Sequence, residues 1–146
     1  LALKNASQAS KKLWNKVTGS YQREMEFYQS KTVSPIITKH PYKDYSIIRY
    51  NEPPCDDKHF INPPNLKFTG IDSQELAMFH QDLKQALYDP INFYAHEWQT
   101  GDVVIADNFS LLHGREAFAA KAPRHLRRVH VLSNPGFNNP GLESYQ

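Results

Sequence analysis

Apolar residues in this 146-residue sequence form short runs rather than long periodic stretches. The runs at 34–38 and 45–50 are rich in β-branched and aromatic residues, which favour strands. A proline-containing segment at 40–44 predicts the turn between them. Similar short runs at 103–106 and 127–132 predict two more strands, the first of them buried and preceded by a turn at 98–102. These patterns favour a mainly β fold.

Two segments show helical periodicity and predict helices that flank the strands. Residues 5–17 place apolar side chains four positions apart, as on one face of a short helix. The second helix begins near Asp72 or Ser73, either of which can cap it, and ends before Pro90. Its predicted core-facing stripe consists of Leu76, Phe79, Leu83 and Leu87. Between the two helices, the proline-rich residues 51–65 predict a long surface loop.

Composition and length exclude several classes of protein. Charged residues make up 22% and hydrophobic residues 40%, which indicates one globular domain over residues 1–146. No apolar stretch reaches the roughly 18 residues of a membrane-spanning helix. The net charge of +2 does not favour nucleic acid, and the basic residues of 124–128 lack interleaved aromatic residues for base stacking. The single cysteine, Cys55, cannot form an internal disulfide and favours a reducing, cytoplasmic location.

The segment 98–132 carries residues that are suited to a chemical site. A predicted strand leads through a short connection to His113, and two arginines of equal parity, Arg124 and Arg128, follow. On an extended strand these arginines would face one side, roughly 13 Å apart. A guanidinium fork can bind a carboxylate through two hydrogen bonds. From the residues alone, however, the favoured interpretation is that the arginines lie in solvent or pair with a nearby acid such as Glu116.

The order of the residues in this segment resembles the C-terminal signature of the TauD/TfdA family of Fe(II)- and 2-oxoglutarate-dependent dioxygenases. The matching residues are Trp98-Gln99, Gly101-Asp102, Asp107-Asn108, Leu112-His113-Gly114-Arg115, Phe118, Arg124 and Arg128. The resemblance covers about residues 95–132, and a looser one extends upstream to about residue 34. Segments 111–118 and 124–130 are most similar to the branch that oxidises amino-acid-derived isonitriles.

This resemblance implies a double-stranded β-helix, which is a jelly roll related to the cupins, with flanking helices. It also implies Fe(II) held by two histidines and one carboxylate, with 2-oxoglutarate and O2 as co-substrates. His113 matches the distal iron-ligating histidine and is the implied catalytic and metal-binding residue. Arg124 matches the arginine that pairs with the far carboxylate of 2-oxoglutarate, and Arg128 matches a second arginine near the co-substrate or an anionic substrate group. Arg127 is a weaker match. Asp107, Asn108 and Trp98 are expected to shape the turn and pack the strand rather than to touch a ligand.

The family's other two iron ligands form a His-x-Asp or His-x-Glu motif far upstream of the distal histidine. The sequence contains one candidate for this motif, His80-Gln81-Asp82, which lies in the second predicted helix. Residues two apart on a helix point roughly 200° apart, so these side chains cannot bind one ion. A jelly roll has about eight strands, and the sequence predicts about five or six when residues 21–28, which could form a strand or a helix, are included. We therefore expect the C-terminal portion of a dioxygenase jelly roll, incomplete in this chain.

Two alternatives stay open at this point. The first is a non-catalytic β domain whose arginine-rich strand binds an anionic ligand or a protein partner. The second is a cupin-like metal enzyme that does not use 2-oxoglutarate. The dioxygenase hypothesis implies hydroxylation or desaturation of a small anionic metabolite, whose identity the sequence does not give. The oligomeric state is also undetermined, so a homo-oligomer stays open.

Overall fold

The computed structural model describes most of the chain, namely residues 1–22, 31–54, 65–114, 125–129, 131 and 142–143. These residues form three helices and six strands, which are α1 (Ala2–Asn5), α2 (Gln8–Trp14), β1 (Thr18–Gln22), β2 (Lys31–Pro35), β3 (Ile37–Lys39), β4 (Ser46–Ile48), β5 (Asn65–Thr69), α3 (Ser73–Leu87) and β6 (Leu142–Glu143). The fold is mainly β with few helices, as predicted. None of the described helices has the length and apolar character needed to cross a membrane.

Four of the strands form one antiparallel sheet in the order β5-β1-β2-β6. In its register Gly19 of β1 lies opposite Ser34 of β2 and Phe68 of β5, so these three positions share a face. Strands β3 and β4 form a separate antiparallel hairpin. Ile36 joins the two units, because its N–H donates to the Val17 carbonyl while its own carbonyl accepts from the Arg49 N–H.

The hydrophobic core lies where α2 and α3 pack together beside the strands. Its fully buried side chains come from both helices and from the links between strands, and they are Trp14, Val17, Ile36, Phe79 and Leu83. The indole N–H of Trp14 donates to the Asp82 carboxylate of α3 at 2.9 Å. This bond satisfies the polar atom that a buried tryptophan would otherwise leave without a partner.

Helix α3 confirms the sequence prediction almost residue for residue. Asp72 caps its first turn, and a reciprocal bond from the Asp72 N–H to the Glu75 carboxylate completes a capping box. Phe79 and Leu83 of the predicted stripe are completely buried. The helix ends at Leu87, before Pro90.

The predicted helix at 5–17 is correct only in its middle. The structure has two short helices there, because Ala6 is extended and Ser7 starts a new helix as its N-cap. The Ser7 hydroxyl accepts from the Ser10 N–H at 3.0 Å, and such local bonding competes with continuation of the preceding helix. Trp14, which was not in the predicted apolar stripe, is the helix residue that reaches the core.

The strands predicted at 34–38 and 45–50 are confirmed as parts of β2, β3 and β4. Strand β5 is absent from the predicted strands, although its exposure alternates along the chain as a one-sided strand requires. The proline-rich neighbourhood obscured that signal. Residues 51–54 have no regular structure, as expected for the predicted loop, and residues 55–64 lie outside the described part of the chain.

The predicted buried strand at 103–106 is wrong. Val103 is 81% exposed and Ile105 is 93% exposed, and neither is assigned to a strand. Residues 127–129 and 131 of the other predicted strand are likewise exposed and outside any strand, while residues 130 and 132 lie outside the described part. An apolar run is not sufficient for a strand, because the backbone N–H and C=O groups also need a neighbouring strand to pair with.

Candidate functional site

His40 directly follows β3 in the β3–β4 hairpin and is buried, with 7% of its surface exposed. Its Nδ1 accepts a hydrogen bond from the Tyr42 N–H at 3.1 Å, which leaves the proton of the neutral ring on Nε2. Nε2 donates to a carboxylate oxygen of Asp107 at 3.0 Å. The rings of Tyr45 and Phe109 lie 5.1 and 5.7 Å from the imidazole. Packing and both hydrogen bonds therefore fix the orientation of this ring.

Asp107 organises the turn at 107–111 on the other side of this bond. One carboxylate oxygen accepts from the Phe109 N–H at 2.9 Å, and the other accepts from the Ser110 hydroxyl as well as from His40. The Asp107 carbonyl accepts from the N–H groups of Ser110 and Leu111, each at 3.1 Å. The Tyr45 hydroxyl also bonds to Ser110 at 2.8 Å. The prediction that Asp107 shapes the turn is confirmed.

These donors stabilise the ionised carboxylate of Asp107. The Ser110 hydroxyl has the largest effect, followed by the Phe109 N–H and then by His40, and together they lower the pKa of Asp107 to about 2. The carboxylate is therefore charged over the whole physiological pH range. It can keep all of its accepted hydrogen bonds there.

We expect the turn to loosen only in strong acid. A carboxyl group with a lowered pKa in the folded state contributes stability above its ordinary pKa of 3.8, and that contribution is lost as the pH falls towards 2. The NMR signal of the Phe109 amide should accordingly titrate with a midpoint near 2. In Asp107→Asn this titration should be absent. A wild-type midpoint near 4 would show that the hydrogen bonds do not favour the charged form.

His113 follows this turn and is exposed. Its backbone lies outside any helix or strand, two residues after the last amide that bonds to Asp107. Arg128 is exposed in the segment 125–129, and Arg124 lies outside the described residues. Over the described ranges, no group of three or more His, Cys, Asp or Glu side chains is arranged to hold a metal ion. His113 thus offers one imidazole that is open to a ligand.

The His80-Gln81-Asp82 motif lies on α3, which confirms that His80 and Asp82 cannot bind one metal ion together. His80 Nδ1 pairs with the Tyr50 hydroxyl at 3.0 Å, whereas Asp82 accepts from Trp14. Burial lowers the pKa of His80 and, with Glu52 and Tyr88 nearby, raises the pKa of Tyr50. Both groups are therefore neutral at physiological pH, and the tyrosine hydroxyl donates to the imidazole.

The Gly-Asp pair of the sequence signature forms a second turn. The Asp102 carboxylate accepts from the Gln99 N–H at 2.8 Å and bonds to His96 Nε2 at 3.0 Å. These bonds, the Gln99 N–H first, lower the pKa of Asp102. Gly101 has a φ of +97°, a conformation that favours glycine. The turn predicted at 98–102 is confirmed, and its motif residues serve the local backbone.

A separate cavity of about 170 Å³ lies between the four-stranded sheet and the segment that follows β4. Its lining includes the side chains of Tyr21, Thr32, Ser34 and Phe68, together with Arg49. Arg49 is half-buried, and burial lowers its pKa. The cavity is lined by aromatic, hydroxyl and guanidinium groups, and its volume is below the roughly 300 Å³ at which most small-molecule sites begin.

Residues 1–130 match the family described as Taurine catabolism dioxygenase TauD, TfdA family. The chain belongs to this family, which agrees with the resemblance of its signature. The match includes the β3–β4 hairpin, the 107–111 turn and His113.

Matches to individual relatives give more detail than the family match. The chain is 44% identical to the tyrosine isonitrile desaturase of Pseudomonas aeruginosa over 143 residues, and 45% identical to that of Erwinia amylovora over 142 residues. It is 37% identical to the 3-((Z)-2-isocyanoethenyl)-1H-indole synthase of Fischerella ambigua over 131 residues. These alignments cover 97%, 97% and 89% of this chain but 49%, 49% and 48% of the relatives. The chain thus spans about half the length of the curated relatives it matches.

Two solved structures of PvcB have the same fold as this chain over the part that superposes. One is the Pseudomonas aeruginosa protein, and the other is described as an Fe, alpha-ketoglutarate dependent oxygenase from an isonitrile synthetic pathway. Each is 40% identical to this chain and superposes with a TM-score of 0.81. The superpositions cover 97% and 98% of this chain and 46% of each solved chain.

The functional relationship that the sequence could not reveal is the bond between His40 and Asp107. The two residues are 67 positions apart, and neither lies on a periodic pattern that points to the other.

Proposed function

We propose that this chain is the C-terminal portion of an Fe(II)- and 2-oxoglutarate-dependent oxygenase with a jelly-roll fold. The proposed reaction is desaturation of an amino-acid-derived isonitrile, in the cytoplasm. The observation that carries the proposal is that His113 is exposed and follows the hydrogen-bonded turn at 107–111. Its place in the ordered signature supports the role of distal iron ligand. Identity of 44% to a tyrosine isonitrile desaturase supports the reaction class.

In this proposal His113 supplies one imidazole ligand to Fe(II). An open imidazole fits that role, because neutral histidine is a common ligand of ferrous iron. The bound iron supplies the oxidising chemistry together with 2-oxoglutarate and O2. Arg124 and Arg128 bind the anionic groups of 2-oxoglutarate and the substrate, since a guanidinium matches a carboxylate in shape and charge.

The proposed substrate is a small carboxylate that carries an isonitrile next to an aromatic side chain. The names of the Pseudomonas, Erwinia and Fischerella relatives refer to tyrosine and indole isonitrile compounds.

The test uses the complete gene product that contains this chain. Under anaerobic conditions, 2-oxoglutarate is titrated calorimetrically with and without Fe(II). The protein is then supplied with O2 and the isonitrile of tyrosine, and succinate and a product lighter by two hydrogens are quantified. Binding that needs Fe(II), with matched amounts of succinate and product, is the expected result.

Two other results would point elsewhere. Binding of 2-oxoglutarate that is independent of Fe(II) would favour a non-catalytic anion-binding domain, consistent with the exposed Arg127 and Arg128. Succinate formation without conversion of the isonitrile would retain the oxygenase class and reject the substrate.

Arg128→Ala should weaken the apparent affinity for 2-oxoglutarate or the substrate by at least about tenfold, because a charge-assisted pair is lost. Arg127→Ala is the matched control, since it removes the same charge from the neighbouring exposed position. Its KM values should stay within about twofold of wild type, as is usual for a surface substitution. Steady-state kinetics on the complete gene product distinguish the two. Equal effects from both variants would indicate a general electrostatic role for the pair.

A further inference from the structure

The bond between His40 and Asp107 joins the end of β3 to the turn at 107–111, across 67 positions of the sequence. His40 follows the β3 strand, and Asp107 begins the turn that leads to His113. The His40 side chain is 5% exposed, whereas that of Asp107 is 45% exposed. The buried imidazole of His40 thus binds the half-exposed carboxylate of Asp107.

The turn packs on the hairpin through Phe109, whose ring lies 5.7 Å from that of His40, but its later residues are more exposed. Leu111 and Leu112 are 54% and 43% exposed, so hydrophobic packing contributes little at the point where the chain reaches His113. Hydrogen bonds to Asp107 supply the order instead, and they bind the N–H groups of Phe109, Ser110 and Leu111. The Tyr45 hydroxyl adds a second link from the hairpin to Ser110.

We propose that His40 and Asp107 form a positioning clamp, which fixes the 107–111 turn and thereby places the His113 imidazole for metal binding. The inference rests on the proposed function, because that function makes His113 a ligand. A metal ligand must be held within about 0.5 Å of its productive position. Leu111, the last residue bonded to Asp107, is two residues from His113, so the clamp limits where the backbone can place the imidazole.

The clamp explains why a histidine occupies this buried position. An apolar ring could fill the space between Tyr45 and Phe109, but it could not bond to Asp107 and to the Tyr42 N–H together. A buried polar group remains favourable when both of its polar atoms are satisfied, as they are here.

A pair of substitutions separates the clamp from simple packing. In His40→Gln the side-chain amide nitrogen can replace Nε2 as donor to Asp107, while the acceptor for Tyr42 is lost. In His40→Asn the amide oxygen can replace Nδ1 as that acceptor, while the bond to Asp107 is lost. Both variants remove the aromatic ring, so a role in packing alone would affect them alike.

Two measurements are made on the complete gene product. The first is hydrogen exchange at the amides of Phe109, Ser110 and Leu111 in metal-free protein, which we expect His40→Asn to accelerate at least about tenfold. The second is the dissociation constant for Fe(II) under anaerobic conditions, which His40→Asn should raise by about tenfold or more. His40→Gln should stay within about threefold of wild type in both.

Asp107→Asn provides a second route in case the buried position does not tolerate change. It keeps an oxygen for the Phe109 N–H and can place a second donor against His40 Nε2, so it breaks the clamp from the exposed side. It should resemble His40→Asn in both measurements. Urea unfolding of each variant verifies that the fold is retained.

The outcomes separate the clamp from the proposed function. Equal weakening in His40→Asn and His40→Gln would assign His40 to packing and overturn the inference. If wild type binds Fe(II) through His113 while His40→Asn and Asp107→Asn bind it equally well, the inference alone falls. If wild type binds no Fe(II), the proposed function falls and the inference falls with it.

Discussion

The complete gene product with His113→Ala should lose Fe(II)-dependent oxidation of its substrate to background. Removal of a directly coordinating imidazole should weaken metal binding by more than about a hundredfold, which is the upper range for groups that only support a ligand. His113 is exposed, so its truncation creates no cavity and leaves no buried polar group without a partner. We therefore expect the fold and its stability to be unchanged while activity disappears.

His125→Ala is the matched control for this experiment. It is the same substitution at another exposed histidine, on the segment that carries Arg128. Its Fe(II) affinity and turnover should equal those of wild type. Anaerobic Fe(II) titration and succinate formation are measured for both variants, together with circular dichroism. Retention of activity in His113→Ala, or equal loss in both variants, would contradict the role of His113 as the distal ligand.

Gly70→Ala should reduce the free energy of unfolding by about 3 kcal/mol or more, through two costs that add. Gly70 has a φ of +97°, where any residue with a Cβ is strained. A Cβ here would also overlap the carbonyl oxygen of Lys16 and lie 3.1 Å from the carbonyl carbon. Because both atoms belong to the backbone, the link between α2 and β1 would have to move.

Gly101→Ala separates the two costs. Gly101 has the same φ of +97°, and a Cβ there would meet nothing within 4 Å. It should therefore lose only the conformational part, about 1–2 kcal/mol. Urea denaturation of the complete gene product measures both variants against wild type. Equal losses at the two glycines would show that the structure near Lys16 relaxes without cost.

The local elements of this protein could be predicted to the extent that their signals lie close together in sequence. Helix α3 has its cap, its apolar stripe and its terminator within residues 72–90, so the prediction was accurate. Residues 5–17 carried a weaker signal, and the competing N-cap at Ser7 divided the helix. Strand β5 had a clear alternation but lay next to the proline-rich segment, and it was missed.

The candidate site was predictable in part for a similar reason. The ordered signature around His113 identified the family, which the match over residues 1–130 confirms. The roles of His113, Arg124 and Arg128 remain predictions. His40 was not identified as a partner of Asp107, because a hydrogen bond across 67 positions leaves no local pattern.

Short-range signals were sufficient to predict the family, helix α3, the turn at 98–102 and the mainly β character of the chain. Tertiary structure decided which apolar runs become strands. Ile47 of β4 is buried in a paired hairpin, whereas Ile105 is exposed without a partner strand in the described part of the chain. The physical reason is that capping, periodicity and turn geometry act over a few residues. Strand pairing and buried hydrogen bonds such as that of His40 require groups that only the folded chain brings together.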